Sequence, residues 1–302
     1  MPMNRCGPAD TASSIASGSR PLRCLAWLGM LTMGMGMGMS RAQASPALVD
    51  LINVHRSEDR RCEGAQLDAA GPLAAHAGLS KVQIDAGTDL QAAMKAQGYQ
   101  PARVFTISLS GATSAGAAMA LIEQRYCQPL MNPAFADIGV SREGNRWQIV
   151  LARPVISPDL PDWQDAGRDI LKLTNQARGE SRRCGQATFA SAQPLAWGPA
   201  LAGAALVHSR DMAKHNYFRH RAKDGDRASD RVDRKGYVWR RVGENIAAGQ
   251  GSAQQAVSAW LSSPPHCANL MNPNYTEMGA AYAVDADSDS TIYWTQVFAT
   301  PR

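Results

Sequence analysis

The feature that most constrains the fold of this 302-residue chain is an internal repeat. Matches between an earlier and a later stretch keep the same order over the whole unit, which indicates that one structural unit was duplicated. The matched segments are LVDLINVHRSEDRRCEG (48–64) with ILKLTNQARGESRRCGQ (170–186), CQPLMNP (127–133) with CANLMNP (267–273), and WQIVLARP (147–154) with WTQVFATP (294–301).

The repeat predicts the domain organisation. We expect a first, degenerate unit at 45–155 and a second unit at 165–302, joined by the proline-rich linker 156–164. The second unit shows helical periodicity in four segments and strand-like alternation in EMGAAYAV and STIYWTQVF. Helices on both sides of a small antiparallel sheet give an α+β fold, an α-β-α sandwich that is duplicated with a degenerate first copy.

The N-terminus has the pattern of an export signal. Arg20 and Arg23 precede an uncharged stretch, and AQA at 42–44 fits a cleavage site, so 1–44 is predicted to be a signal peptide. The alternative is a membrane anchor, but the uncharged stretch is short and rich in Gly and Met. We therefore expect a secreted or periplasmic protein without a transmembrane segment in the mature chain.

The charge of the chain argues against nucleic acid as a partner. The formal net charge is +5, and the leader accounts for much of it with four arginines against one aspartate. Basic residues are concentrated at 219–241, with nine Lys or Arg against four Asp. This composition predicts a solvated loop, and an electrostatic rim for an acidic ligand is the alternative.

Four cysteines remain after the leader, and an oxidising compartment favours two disulfides among three connectivities. Each repeat carries one early and one late cysteine. The simplest pairing is therefore Cys62–Cys127 and Cys184–Cys267, with a crossed pairing between units as the alternative.

Three titratable residues of the second unit stand out by position. His220 follows an aromatic pair after a helix, Glu244 lies in GENIAAG, and His266 lies in the first turn of a proline-started helix. Two imidazoles and a carboxylate can bind a divalent metal or share protons. In the first unit Tyr126 stands in the place of His266 and Thr106 near the place of Glu244, while no histidine matches His220. All three residues are missing from the first unit, which indicates that they act together as one functional site.

Other histidines have simpler interpretations. His208 lies on the apolar stripe of a helix, which predicts a hydrogen-bonded core histidine. His215 lies near the end of the same helix and is expected to face solvent.

The second unit resembles the CAP superfamily (SCP domain), which comprises cysteine-rich secretory, antigen 5 and pathogenesis-related proteins, and in particular its secreted bacterial branch. The resemblance rests on HSRDMAKHNYFRH, GENIAAG, AWLSSPPHCANLMNPNYTEMG and YWTQVF. It implies an α-β-α sandwich with a cleft of two His and two Glu that holds a divalent cation such as zinc in some members. His220, His266 and Glu244 match that set and would be the metal ligands, while Ser263 stands where the second Glu is usual. The segment 219–241 corresponds to the variable lid over the cleft.

These observations lead to a secreted binding module whose cleft contains His220, Glu244, His266 and Ser263. Its partner would be a small ligand, lipid or anionic, a divalent cation, or a protein. One alternative is a metal-assisted, peptidase-like hydrolase with Glu244 as general base. Another is a structural envelope or interaction protein. No G-x-S-x-G or H-E-x-x-H motif is present to support catalysis.

Overall fold

The structure is a computed structural model that describes residues 43–302, and these residues form one compact unit. The predicted signal peptide lies outside the described residues, except for its last two positions, Gln43 and Ala44. Within 43–302, no helix has the length and apolar character needed to cross a membrane.

The first half of the described chain alternates helices and strands. Its elements are β1 (Gln43–Ala44), α1 (Pro46–Arg56), β2 (Arg60–Cys62), β3 (Ala65–Leu67), β4 (Ala74–Ala75), a 3-10 turn (Leu79–Lys81), α2 (Leu90–Ala96), β5 (Pro101–Ser110), α3 (Ala115–Met131), β6 (Asp137–Glu143) and β7 (Arg146–Pro154).

The second half contains the helices and strands that the sequence pattern predicts there. Asp162 caps the first of these helices, and Pro199 and Pro264 begin two others, as expected for helix N-termini. Its elements are α4 (Trp163–Arg178), β8 (Arg182–Cys184), β9 (Ala187–Phe189), β10 (Ala196–Trp197), α5 (Pro199–His215), α6 (Ala228–Asp233), β11 (Trp239–Ala248), α7 (Ala253–Leu261), α8 (Pro264–Leu270), β12 (Glu277–Val284) and β13 (Ile292–Pro301).

Each half contains one main sheet, and the two sheets share a strand order. The order is β1–β6–β7–β5 in the first half, with β4 also paired to β6, and β10–β12–β13–β11 in the second. The short strands β4 and β10 run parallel to β6 and β12, whereas the long strands pair antiparallel. The hairpins β2–β3 and β8–β9 lie outside these sheets.

Helices cover both faces of the second sheet. Ala280 of β12 packs with Ile170 of α4 in one core, while its neighbour Ala281 packs with Leu201 of α5 in another. Because successive residues of a strand face opposite sides of the sheet, α4 and α5 form opposite outer layers. The predicted α+β class and α-β-α layering are confirmed.

In each half, a glycine in the sheet lets the element that packs on one face of the sheet approach closely. A Cβ on Gly279 would lie 2.0 Å from the backbone nitrogen of Ala202 in α5, so only glycine fits there. At the matching position of the first half, a Cβ on Gly139 would lie 2.3 Å from the carbonyl carbon of Leu79. The short 3-10 turn of the first half thus occupies the place that α5 takes in the second.

An arginine at the end of the first helix of each half connects that helix to the segment after the disulfide. Arg56 and Arg178 are both fully buried. Arg178 donates hydrogen bonds to the carbonyl oxygens of Gln193, Leu270, Asn272 and Tyr275. Arg56 donates to the carbonyl oxygens of Gly71, Leu130, Asn132 and Phe135.

Both disulfides lie within the halves, which confirms the pairing that the repeat favours. Cys62–Cys127 joins β2 to α3 across 65 residues, and Cys184–Cys267 joins β8 to α8 across 83 residues. Loops of this length correspond to about 4 kcal/mol of stabilisation each in the chain-entropy model.

The two halves pack directly on one another. The buried side chain of Gln250, which follows β11, donates to the carbonyl oxygens of Pro72 at 2.9 Å and Ala136 at 3.2 Å. Asn53 of α1 donates to the carbonyl oxygen of Ser262 at 2.7 Å. These buried hydrogen bonds specify how the halves are oriented.

Candidate functional site

The structure brings His220, Glu244 and His266 to one cleft of about 910 Å³. His220 lies in the loop between α5 and α6, Glu244 lies on β11, and His266 lies on α8. A volume of this size is typical of pockets for small molecules or short polymers.

Local packing explains the glycine of the GENIAAG segment. A Cβ on Gly243 would lie 2.2 Å from the hydroxyl oxygen of Tyr275, so this position excludes any larger residue. The ring of Tyr275 stacks on Phe298 of β13 at a centroid distance of 5.3 Å. The backbone that carries Glu244 is therefore held against the core.

The Glu244 carboxylate is buried and fully engaged, with a side chain that is 4% exposed. Its Oε1 lies 2.9 Å from Nδ1 of His220, and its Oε2 accepts a 2.6 Å hydrogen bond from Nη2 of Arg231. Burial by itself raises the pKa of Glu244, but the His220 hydrogen bond and the charge of Arg231 help to lower that pKa below its ordinary value. Glu244 is therefore ionised, and its two hydrogen-bonding contacts hold the carboxylate in place.

Arg231 corrects the interpretation of 219–241 as a solvated loop. The segment contains α6, and the side chain of Arg231 within α6 is only 2% exposed. Besides Glu244, it donates to the carbonyl oxygens of Asp226 and His220. The charge-rich segment contains a helix, α6, and its Arg231 is the buried counter-ion of Glu244.

His208 is a core histidine that also lies beside the site. It is fully buried, and its Nε2 lies 2.9 Å from the carbonyl oxygen of Arg219. The same nitrogen is 3.8 Å from Oε1 of Glu244. Burial lowers the pKa of His208, which favours a neutral imidazole.

His266 is oriented by a residue of its own helix. Its Nδ1 lies 2.8 Å from Oγ of Ser263. Ser263 occupies the N-cap position of α8, but its side chain caps no backbone N–H and is fully buried. Ser263 is not among the residues that line the cleft, so it contributes to the site only by positioning His266.

Two asparagines connect the strand of Glu244 to the helix of His266. Asn245 Nδ2 donates to the carbonyl oxygen of His266, and Asn269 Nδ2 donates to the carbonyl oxygen of Glu244 and to Oδ1 of Asn245. Sequence reasoning did not single out these residues, although Asn245 lies in the GENIAAG segment.

The residues present do not fit the divalent cation that the family resemblance implies. Both Glu244 oxygens are engaged, and the buried guanidinium of Arg231 places a positive charge where a cation would need to bind. Within 43–302, no three His, Cys, Asp or Glu side chains form a group that could hold a metal. Arg231 supplies the charge compensation instead.

The matching region of the first half is aromatic. Thr106 on β5 lies opposite Val150, in the register position that Glu244 has opposite Val297. The Tyr126 ring lies 6.4 Å from the Phe105 ring, measured between centroids. The first half therefore retains the strand but has none of the three titratable residues at these positions.

Comparison with known proteins identifies the second half. The CAP family model, described as the cysteine-rich secretory protein family, matches residues 171–298. Over 131 residues the chain is 31% identical to the uncharacterized protein YkwD and 36% identical to the uncharacterized membrane protein YlbC, both of Bacillus subtilis (strain 168). These matches cover 43% of this chain but only 46% of YkwD and 33% of YlbC.

A solved structure is also similar. It is an extracellular protein containing a SCP domain from Bacillus anthracis str. Ames, 25% identical, with 52% of each chain covered and a TM-score of 0.38. The sequence match places the predicted motifs, from the end of α5 to β13, inside the family model. Residues 171–298 of this chain therefore form a CAP domain of the cysteine-rich secretory protein family.

Proposed function

We propose that this chain is an exported binding protein and that its CAP domain binds a ligand in the cleft of His220, Glu244 and His266. The leader pattern at 1–44 and the two disulfides support export, because disulfides persist in oxidising compartments. These two features fit a periplasmic location and an extracellular location equally well.

The binding proposal rests on a difference in solvent exposure between the side chains of the site. The His220 side chain is 55% exposed, whereas Glu244 and Arg231 beneath it are 4% and 2% exposed. A buried ion pair therefore supports an accessible imidazole in a concave cleft. This arrangement can recognise a ligand through hydrogen bonds to the accessible imidazole.

The hydrolase alternative has less support. A general base needs a pKa near the working pH, and the Glu244 pKa lies below its ordinary value. Ser263, the hydroxyl beside His266, is fully buried and cannot reach a substrate. Neither group is suited to start a hydrolytic reaction.

The first half is proposed to be a degenerate copy of the same unit. The shared strand order, the matching glycines and the matching buried arginines support duplication. In this proposal the first copy kept its scaffold and lost its own His/Glu site.

A fragment screen by NMR tests the binding proposal. The full chain, labelled at the histidine rings, is mixed with a library of small polar and aromatic fragments. We expect bound fragments to shift the His220 and His266 signals, and we expect the His266 shift to disappear in His220→Ala. His215→Ala changes an exposed histidine at the end of α5 and serves as the control. Fragments that bind only away from His220 and His266 would refute the proposal.

A further inference from the structure

The cleft of the CAP domain has a wall that belongs to the first half. Ser57, Glu58, Asp59, Ala69 and Ala70 line the same cleft as His220 and His266. They flank the hairpin β2–β3 at its two ends. The binding cleft is therefore composite, and neither half forms it alone.

Arg219 links this wall to the loop that carries His220. Its guanidinium pairs with Asp68 and lies 3.7 Å from Oδ2 of Asp59. The Oδ1 of Asp59 accepts a 2.9 Å hydrogen bond from the backbone of Ala69, which joins the two ends of the hairpin. The wall is thus attached at the residue next to His220.

The charges that line the cleft are mainly negative. Glu58 and Asp59 contribute carboxylates, and Arg219 contributes the guanidinium that Asp59 and Asp68 already share. The carboxylate of Glu244 adds no net charge, because Arg231 compensates it. Glu58 also contacts Arg60 at 2.9 Å, but its side chain remains 66% exposed. Charge complementarity therefore favours a cationic ligand over an anionic one.

The rest of the lining suits a polypeptide. Phe189, Phe218 and Pro265 provide apolar contact area. Asn269 and Asn272 also line the cleft. Asn269 Nδ2 and Asn272 Oδ1 already have partners, which leaves Asn269 Oδ1 to accept from a peptide backbone and Asn272 Nδ2 to donate to it. The cleft volume of about 910 Å³ accommodates several residues.

We propose that the composite cleft binds an extended basic peptide whose cationic side chain lies against Glu58 and Asp59 of the first half. The inference rests on the proposed binding function and names the ligand class. It also assigns the first half a direct role in specificity.

A second cavity offers the opposite charge. Arg221 and Arg227 line a cavity of about 550 Å³ that shares His220 and Glu244 with the main cleft. An anionic ligand would be expected there, so the experiment must separate the two cavities.

Calorimetry on the full chain with three capped tripeptides tests the proposal. The probes are acetyl-Lys-Lys-Lys-amide, acetyl-Ala-Ala-Ala-amide and acetyl-Glu-Glu-Glu-amide in low salt. We expect trilysine to bind tightest and to weaken about fivefold in Glu58→Gln, with further loss in 0.5 M NaCl, because exposed charge interactions are modest and screened. Asp85→Asn removes an exposed carboxylate of the first half that pairs with Arg146 and should leave binding unchanged.

Other outcomes overturn the proposal in distinguishable ways. Equal binding of trialanine and trilysine, lost in His266→Ala but unaffected by Glu58→Gln, would reject the acidic wall and retain the cleft. Preferential binding of triglutamate, lost in Arg227→Gln, would place the ligand in the second cavity. Absence of binding by all three peptides would reject a peptide ligand, while the fragment screen tests the cleft independently.

Discussion

Glu244 and Arg231 form a buried ion pair at the floor of the cleft. Their side chains are 4% and 2% exposed, and the Nη2–Oε2 distance is 2.6 Å. A buried pair of this kind adds little net stability, but loss of one partner leaves an uncompensated buried charge. The pair therefore determines the electrostatics of the site more than it stabilises the fold.

Replacing Arg231 with methionine should be strongly destabilising. We expect Arg231→Met to lower the free energy of unfolding by about 3–5 kcal/mol, since Glu244 loses its counter-ion. The double variant Arg231→Met/Glu244→Gln should recover much of that loss. Urea denaturation of the full chain measures both, and Arg234→Met, which removes an exposed partner of Asp226, should have little effect. Additive losses in the double variant would contradict the pairing.

Zinc should bind weakly to the native chain for the same reason. With the charge of Glu244 compensated by Arg231, we expect calorimetry to show no tight zinc binding at neutral pH. Arg231→Lys keeps the positive charge beside Glu244, so this variant should likewise show no tight zinc binding. Tight zinc binding that is lost in both His220→Ala and His266→Ala would show that the cation displaces Arg231.

His266 should remain neutral over the physiological range. Burial and the nearby His220 lower the pKa of His266 to about 3. The ring signals of His266 should therefore stay constant between pH 8 and pH 5 in NMR spectra of the folded chain. In urea the same residue should titrate near its ordinary value. A native-state midpoint above pH 6 would contradict the burial argument.

The residues of the site could be predicted only in part. His220, Glu244 and His266 stand out because their matches are absent in the first repeat. Arg231 was missed because alternating Arg and Asp residues are typical of solvated segments, and α6 is only six residues long. Its role depends on contact with Glu244 of β11, thirteen residues later in the chain, and the local sequence pattern does not encode such a contact.

At the scale of elements, helix α4 is connected to α8 and to the segment after it. Arg178 donates to the carbonyl oxygens of Leu270 and Asn272, while the disulfide Cys184–Cys267 fixes the hairpin after α4 to α8. The α8 helix carries His266, so both connections position the site. The repeat made Arg178 and Cys184 visible as matches, but the carbonyl partners of Arg178 are set by tertiary packing.

Loss of the Arg178 guanidinium should loosen this connection. We expect Arg178→Met to lower the free energy of unfolding by about 3 kcal/mol or more, because several buried carbonyl oxygens lose a charged donor. Arg183→Met is the matched control, since Arg183 is exposed and bonds only locally to Gly185 and Gln186 among the described residues. Equal effects of the two substitutions in urea denaturation would contradict the role of Arg178.

At the scale of the whole molecule, the arrangement of the halves was not predictable. The second half follows from periodicity, capping residues and proline positions, which are local. The wall formed by Glu58 and Asp59 depends on how two units pack, and that packing is set by Gln250 and Asn53 reaching carbonyl oxygens across the interface. Gln250 does not stand out in the sequence, and the match of Asn53 with Asn175 in the repeat does not reveal the contact of Asn53 across the interface.

The interface between the halves contains a carboxyl group with a raised pKa. Asp137 of β6 is fully buried, and its Oδ2 accepts hydrogen bonds from the hydroxyl of Tyr99 and from Nε2 of Gln255 in α7. Within the described residues its Oδ1 has no hydrogen-bond partner. Burial raises the pKa of Asp137 to about 7, and the Tyr99 hydrogen bond lowers it by a smaller amount. Below about pH 7 the folded protein therefore favours the protonated acid.

This pKa predicts how the stability of the joined halves depends on pH. Between about pH 4 and pH 7 the folded chain retains a proton that the unfolded chain releases, so the stability contributed by this group falls as the pH rises. The total effect is at most about 4 kcal/mol. Asp137→Asn keeps an acceptor for Tyr99 and carries no charge, so it should be more stable than the native chain at pH 8 and similar to it at pH 4. Urea denaturation at both pH values measures this difference, with Asp85→Asn as an exposed control, and an Asp137→Asn effect that is the same at both pH values would show that Asp137 is ionised in the folded protein throughout.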